Sequence, residues 1–72
     1  MRVGLQLLTR TELERARARG RKLDFTAIGV LHVSRRVSPE LAEEAVRRIR
    51  LWGVLDASPR VRRALADRIV RI

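Results

Sequence analysis

Two Ser-Pro pairs, at residues 38–39 and 58–59, limit the possible folds of this chain more than any other feature. A serine side chain at such a position accepts a hydrogen bond from a free amide at the start of a helix. Proline is tolerated in the first helical turn, because the N–H group that it lacks would have no partner there. Each pair therefore predicts a helix start. The two segments coincide in Ser, Pro, Arg and Ile at an offset of twenty residues, which is typical of one capping arrangement used twice.

The first of these helices is predicted to begin at Ser38 and to end at Gly53. Its apolar residues recur at spacings of three and four and form one stripe, which consists of Leu41, Ala42, Ala45, Val46, Ile49 and Trp52. The second helix is predicted over residues 59–72, and its buried stripe consists of Val61, Leu65, Ile69 and Ile72. The two stripes pack around the apolar residues 23–34, which are predicted to form the centre of the core, and Leu41, Val46, Ile49 and Leu65 are predicted core residues.

A third helix start lies nearer the N-terminus. Thr9 is placed to cap a helix over about residues 10–19, and Glu12 completes a capping box. Gly20 is placed to end this helix in a left-handed conformation. Residues 1–8 are predicted to form a short strand or a tail.

Residues 23–34 are the most apolar stretch of the chain and show no decisive period. Their β-branched residues and Gly29 favour a strand, whereas their helical neighbours favour a helix. We therefore predict a mainly α chain, a small single domain of three to four short helices with a possible N-terminal strand. The alternative is an α+β fold in which residues 25–33 form a strand.

The chain is short for a stable core. Its 72 residues include no cysteine and one histidine, which excludes disulfides and disfavours a structural zinc site, so we expect no metal and no cofactor. Tight packing or oligomerisation stabilises chains of this length. We expect a homodimer or a subunit of a larger assembly, and the predicted interface residues are Trp52, Val61, Leu65, Ile69 and Ile72.

The chain has a net charge of +9, and all but one of its seventeen cations are arginines. Such an excess favours association with nucleic acid, and the planar arginine fork suits phosphates and base edges. A GC-rich genome or a hot habitat gives the same arginine bias, and the composition does not distinguish these explanations.

The cations form two candidate contact groups. The first is an arginine-rich cluster that consists of Arg15, Arg17, Arg19, Arg21 and Lys22. No acidic residue lies between positions 15 and 23, so this cluster is predicted to bind phosphates. The second group, Arg35 and Arg36, lies just before the Ser38 cap and is predicted to be nearer the bases.

Catalysis and membrane insertion are not expected. The chain lacks a glycine-rich phosphate loop, and His32 lies among apolar residues, where a packed imidazole is the usual role. Its longest apolar run is far below the roughly 20 residues of a membrane span, and its start does not resemble a signal peptide. We expect a cytoplasmic protein.

Two short stretches and the predicted order of elements resemble known families. The segment VSRRVSPELAEEAVRRIRLWGV is similar to the region after the recognition helix of LacI-type repressors, and ASPRVRRALA is similar to the start of a peripheral subunit-binding domain. The order of a short strand, a basic helix and a second helix resembles ribbon-helix-helix proteins, which implies that Arg2, Leu5 and Gln6 lie in the strand.

These features predict a small basic DNA-binding protein, a dimeric transcriptional regulator that contacts duplex phosphates through segment 10–22. Two alternatives stay open. One is a ribosome-associated or other RNA-binding protein, and the other is a helical protein-interaction subunit of a larger complex.

Overall fold

The structure is a computed structural model that describes residues 1–72. Strands and helices alternate along the chain as β1 (Arg2–Leu8), α1 (Arg10–Ala18), β2 (Leu23–Val33), α2 (Pro39–Ala45), β3 (Val46–Asp56), α3 (Pro59–Leu65) and β4 (Ile69–Arg71). The four strands form one sheet in chain order, and all neighbouring strands are parallel. The chain therefore winds as a short solenoid in which each turn adds one strand and one helix.

The prediction of a mainly α fold is wrong. The chain is 44% strand and 32% helix, which makes it an α+β fold. The strand alternative for residues 25–33 describes the structure, because these residues lie within β2. Parallel neighbours on both sides satisfy the backbone groups of this apolar stretch.

The predicted helix starts are confirmed. The side-chain oxygens of Thr9, Ser38 and Ser58 each accept a hydrogen bond from the N–H group three residues later, at 3.2, 3.1 and 3.3 Å. Gly20 has a φ of +67° and follows the end of α1 as predicted. Local sequence thus determines where each helix begins.

The predicted helix ends after both Ser-Pro pairs are wrong. α2 ends at Ala45, and α3 ends at Leu65. Residues 46–56 satisfy two periods, since Val46 and Ile49 fit a helical stripe while Ile49, Leu51 and Leu55 also alternate as in a strand. Pairing with β2 and β4 selects the strand, and it leaves Trp52 62% exposed on the side away from the core.

The core lies between the sheet and the three helices. Leu41, Val46, Ile49 and Leu65 are all buried, which confirms the four predicted core positions. They are joined there by β2 residues such as Leu31 and by Leu13 of α1. No polar or charged residue is buried, so the folded state is stabilised mainly by apolar burial.

Three glycines form one row across the sheet. Gly4 pairs with Gly29, which pairs with Gly53, and their φ angles are +94°, +117° and +141°. A Cβ atom on Gly53 would lie 1.8 Å from the carbonyl oxygen of Gly29, and one on Gly29 would lie 2.5 Å from that of Gly4. Only glycine permits this approach of the three strands.

We expect Gly53→Ala to unfold the chain, because its methyl group would collide with the backbone carbonyl of Gly29. The matched control is Gly4→Ala, since Gly4 also has a positive φ but has nothing within 4 Å of its added Cβ. The Gly4→Ala control adds conformational strain of about 1–2 kcal/mol but no steric collision. Urea denaturation followed by circular dichroism compares the two, and equal midpoints would contradict the steric role of the row.

Ile49→Ala is expected to lower the free energy of unfolding by about 2–4 kcal/mol, since it leaves a cavity in the fully buried centre of the core. For a chain of this length such a loss removes most of the folded population at room temperature. Thermal melting provides the measurement. A melting temperature within a few degrees of the parent would mean that Ile49 does not pack as the structure shows.

Candidate nucleic-acid interface

A basic cleft lies beside α1 at the start of β2. β2 begins at Leu23, but its pairing with β1 starts only at Ala27, so its first residues extend beyond the edge strand. The space between this extension, α1 and the connecting turn is a cavity of about 610 Å³. It is lined by Thr9, Thr11, Glu12, Arg15, Ala16, Arg19, Arg21, Lys22, Leu23 and Asp24.

The helical period and one glycine bring the cations of this cleft together. Thr11, Arg15 and Arg19 follow one another at intervals of four residues, which places them on one face of α1 and its C-cap. Gly20 then reverses the chain direction, because the N–H groups of Gly20 and Arg21 donate to the carbonyls of Arg17 and Ala16. After this turn, Arg21 and Lys22 line the same cleft as Arg15 and Arg19.

The two carboxylates in the cleft are bound by arginines from other elements. Glu12 accepts a hydrogen bond from Arg2 at 3.0 Å, and Asp24 accepts one from Arg50 at 3.1 Å. The guanidinium of Arg2 also stacks over the ring of Phe25, 4.2 Å from its centre. These contacts neutralise both acids without using a cation of the cluster.

None of the four cleft cations makes an ion pair within the chain. The six ion pairs of the structure involve other basic residues. Arg15, Arg19, Arg21 and Lys22 are also exposed. The cleft therefore presents four unpaired positive charges to a ligand.

One member of the predicted cluster lies elsewhere. Arg17 points to the other side of α1, where it pairs with Glu44 of α2 at 3.8 Å. No acidic residue lies near Arg17 within its own segment, but packing of α1 beside α2 brings Glu44, which is distant in the sequence, next to it.

The second predicted group is separated from the cleft. Arg35 and Arg36 lie in the exposed turn after β2, at the opposite end of that strand from Lys22. They do not line the cleft. The two predicted groups are therefore also separate in the structure.

The predicted interface residues are distributed over both sides of the sheet. Val61 and Leu65 are covered by their own chain, with exposures of 1% and 0%, and Ile69 packs against the same core. Trp52 and Ile72 are exposed. Trp52 and Ile72 are therefore accessible to a partner in the folded chain, and Ile69 is partly accessible.

Thr9 and Thr11 also line the cleft and were not predicted as site residues. The spacing of Thr11, Arg15 and Arg19 is a signal that would have indicated Thr11, because residues four apart share a helix face. The position of Asp24 could not be read in this way, since it depends on the register of β2.

Comparison with known proteins gives one match. A model of the family described as "Ribbon-Helix-Helix transcriptional regulator family" matches residues 1–62, a range that includes the whole cleft. No curated protein and no solved structure matches the chain. In this structure the order of elements is strand and helix in alternation, rather than one strand followed by two helices. No helix is both long and apolar enough to cross a membrane.

Proposed function

The chain belongs to the ribbon-helix-helix transcriptional regulator family, and from this premise we propose that its basic cleft is the contact with duplex DNA. The single observation that carries the proposal is that four unpaired cations line one cleft whose two acids are held by other arginines. The family is one of transcription regulators, which supports DNA over the RNA-binding and protein-interaction alternatives. It also supports a regulator over an enzyme.

In this proposal the four cations hold phosphates of the DNA backbone. Arginine forks donate in pairs to phosphate oxygens, and Lys22 supplies a compact charge. The hydroxyls of Thr9 and Thr11 are further donors within the same cleft. Such contacts fix the position and orientation of the protein on the duplex but carry no sequence information.

Arg35 and Arg36 are the proposed source of base contacts. They are exposed and lie at the far end of β2 from the cleft. The longest Cα extent of the molecule is 28 Å, which is shorter than one turn of duplex DNA, about 34 Å. The separation of the two groups is thus compatible with one turn of duplex.

The proposed regulator acts as a homodimer. Support comes from the large apolar side chains that this short chain leaves exposed, among them Leu5, Trp52 and Val54. A two-fold dimer presents two copies of the cleft to DNA, which suits two half-sites.

Removing cleft cations is expected to reduce the salt dependence of DNA binding. In a triple variant with Arg15, Arg19 and Lys22 changed to Gln, the slope of log affinity against log salt should flatten by about 2–3 units. Affinity should fall for all duplex sequences alike, because phosphate contacts are independent of sequence. Fluorescence anisotropy over a salt series measures the slope.

The matched control removes the same charge outside the cleft. Arg17, Arg60 and Arg63 do not line it, so changing these three to Gln should leave the slope near that of the parent. If the two triple variants have the same slope while circular dichroism shows both folded, the cleft is not the DNA contact. Competition with structured RNA in the same assay tests the preference for duplex DNA.

Arg35→Gln is expected to weaken binding to a preferred duplex more than binding to random DNA, because a lost base contact reduces discrimination by about 1–3 kcal/mol. The salt slope should change by at most one unit. A selected site and a scrambled duplex of equal length provide the comparison. An equal loss on both would assign Arg35 to the backbone.

A further inference from the structure

The side of the sheet that faces away from the helices is apolar and uncovered. We call it the outer face. Its central rows run across three strands, with Val3, Ile28 and Trp52 in one and Leu5, Val30 and Val54 in the next. Leu5 is 70% exposed and Trp52 is 62% exposed. Contiguous apolar surface of this kind is rare on monomeric proteins and marks a binding surface.

The outer face has no net charge, although the chain carries +9. Its charged residues are Asp24, Arg48, Arg50 and Asp56, which place two negative and two positive charges on one side of the sheet. If two copies pack through another surface, their excess positive charges come close together and repel. If they pack through the outer face, these charges stay apart.

The charges of the outer face are also arranged by sign. At the end where the strands finish, Asp56 lies beside His32, whose Nδ1 atom is 2.7 Å from its Oδ2 atom. At the end where they begin, Arg48 makes no ion pair within the chain, while Asp24 and Arg50 pair with each other. A copy turned end for end therefore places its Arg48 opposite Asp56.

From these features we infer that a second copy of this chain packs on the outer face, sheet against sheet, with the strands of the two copies antiparallel. The two-fold axis passes near Trp52, so this side chain meets its equivalent. Asp56 of one protomer faces Arg48 of its partner at both ends of the interface. The inference rests on the homodimer of the proposed function and not on the DNA cleft, which shares only Asp24 with the outer face.

A second copy fits this surface because a two-fold interface has to be complementary to itself. The outer face meets that condition in two ways. It is the broad side of a sheet, which can pack against an identical surface, and its two ends carry charges of opposite sign. It offers about fourteen side chains, fewer than the roughly 20–30 per side of a standard interface. We therefore expect a dissociation constant in the micromolar range.

Sedimentation and fluorescence of the unmodified protein test the inference together. Sedimentation velocity should show a reversible dimer of twice the chain mass of 8.3 kDa. Trp52 is the only tryptophan, so dilution below the dissociation constant should shift its emission to the red and increase its quenching by acrylamide. A monomer at about 100 µM would overturn the inference, as would a dimer in which Trp52 stays as accessible as in the monomer.

Val54→Glu places a carboxylate in the middle of the outer face and should weaken the dimer by about 100-fold or more. Ala66→Glu is the control, because it adds the same charge at an exposed position beyond α3, and it should leave the dimer intact. A dimer that persists unchanged in Val54→Glu would show that the copies meet elsewhere, for example along the open edge of β1.

Exchange of charges tests the antiparallel arrangement and does not depend on Val54→Glu folding. Asp56→Arg should weaken the dimer by about 10-fold, and adding Arg48→Asp in the same chain should restore it, because the pair is then reversed. Absence of rescue would overturn the arrangement. None of these substitutions changes the four cleft cations. The salt dependence of DNA binding, expressed per protomer, should therefore stay the same in these variants. It tests the DNA cleft independently of the dimer.

Discussion

The row of Gly4, Gly29 and Gly53 is the constraint on which the rest of the fold depends. Gly29 and Gly53 each approach a carbonyl of the neighbouring strand so closely that a methyl group does not fit, and Gly4 supplies the first of these carbonyls. The strands can therefore stack only in the register that places glycine on glycine. Register decides which alternate residues face the helices, and a slip by one position would exchange the two sides of the sheet. The register set by the glycine row therefore determines both the buried core and the apolar outer face.

Helix starts could be predicted from the sequence, but helix ends could not. A cap is a local interaction between a side chain and an amide three residues away, so Thr9, Ser38 and Ser58 are sufficient to identify it. The end of α2 is decided by the pairing of β3 with strands distant in the sequence. One signal of that pairing is visible in the printed sequence. The segments VGLQLLT, IGVLHVS and WGVLDAS recur at intervals of 25 and 24 residues, which is the spacing of a solenoid repeat.

The candidate site could likewise be predicted from the sequence only in part. Arg15, Arg19, Arg21 and Lys22 are brought together by one helix and one turn, so their association could be predicted from their spacing. Arg17 could not be separated from them, because its ion pair with Glu44 forms only when α1 packs beside α2. The neutralisation of Asp24 by Arg50 likewise joins β2 to β3. Sequence therefore indicated the charge of the site, and tertiary packing determined how much of that charge is available.

The winding of the chain has a consequence for cooperativity. In a solenoid each repeat contacts only its neighbours, so the free energy of folding is divided among units and their interfaces. The cleft belongs to the first repeat and the beginning of the second, whereas the three-residue β4 closes the opposite end. A ligand in the cleft stabilises the units that it touches and those directly coupled to them. The two ends of this short array can thus differ in local stability within one folded molecule, and the end that holds a ligand becomes the one that opens last.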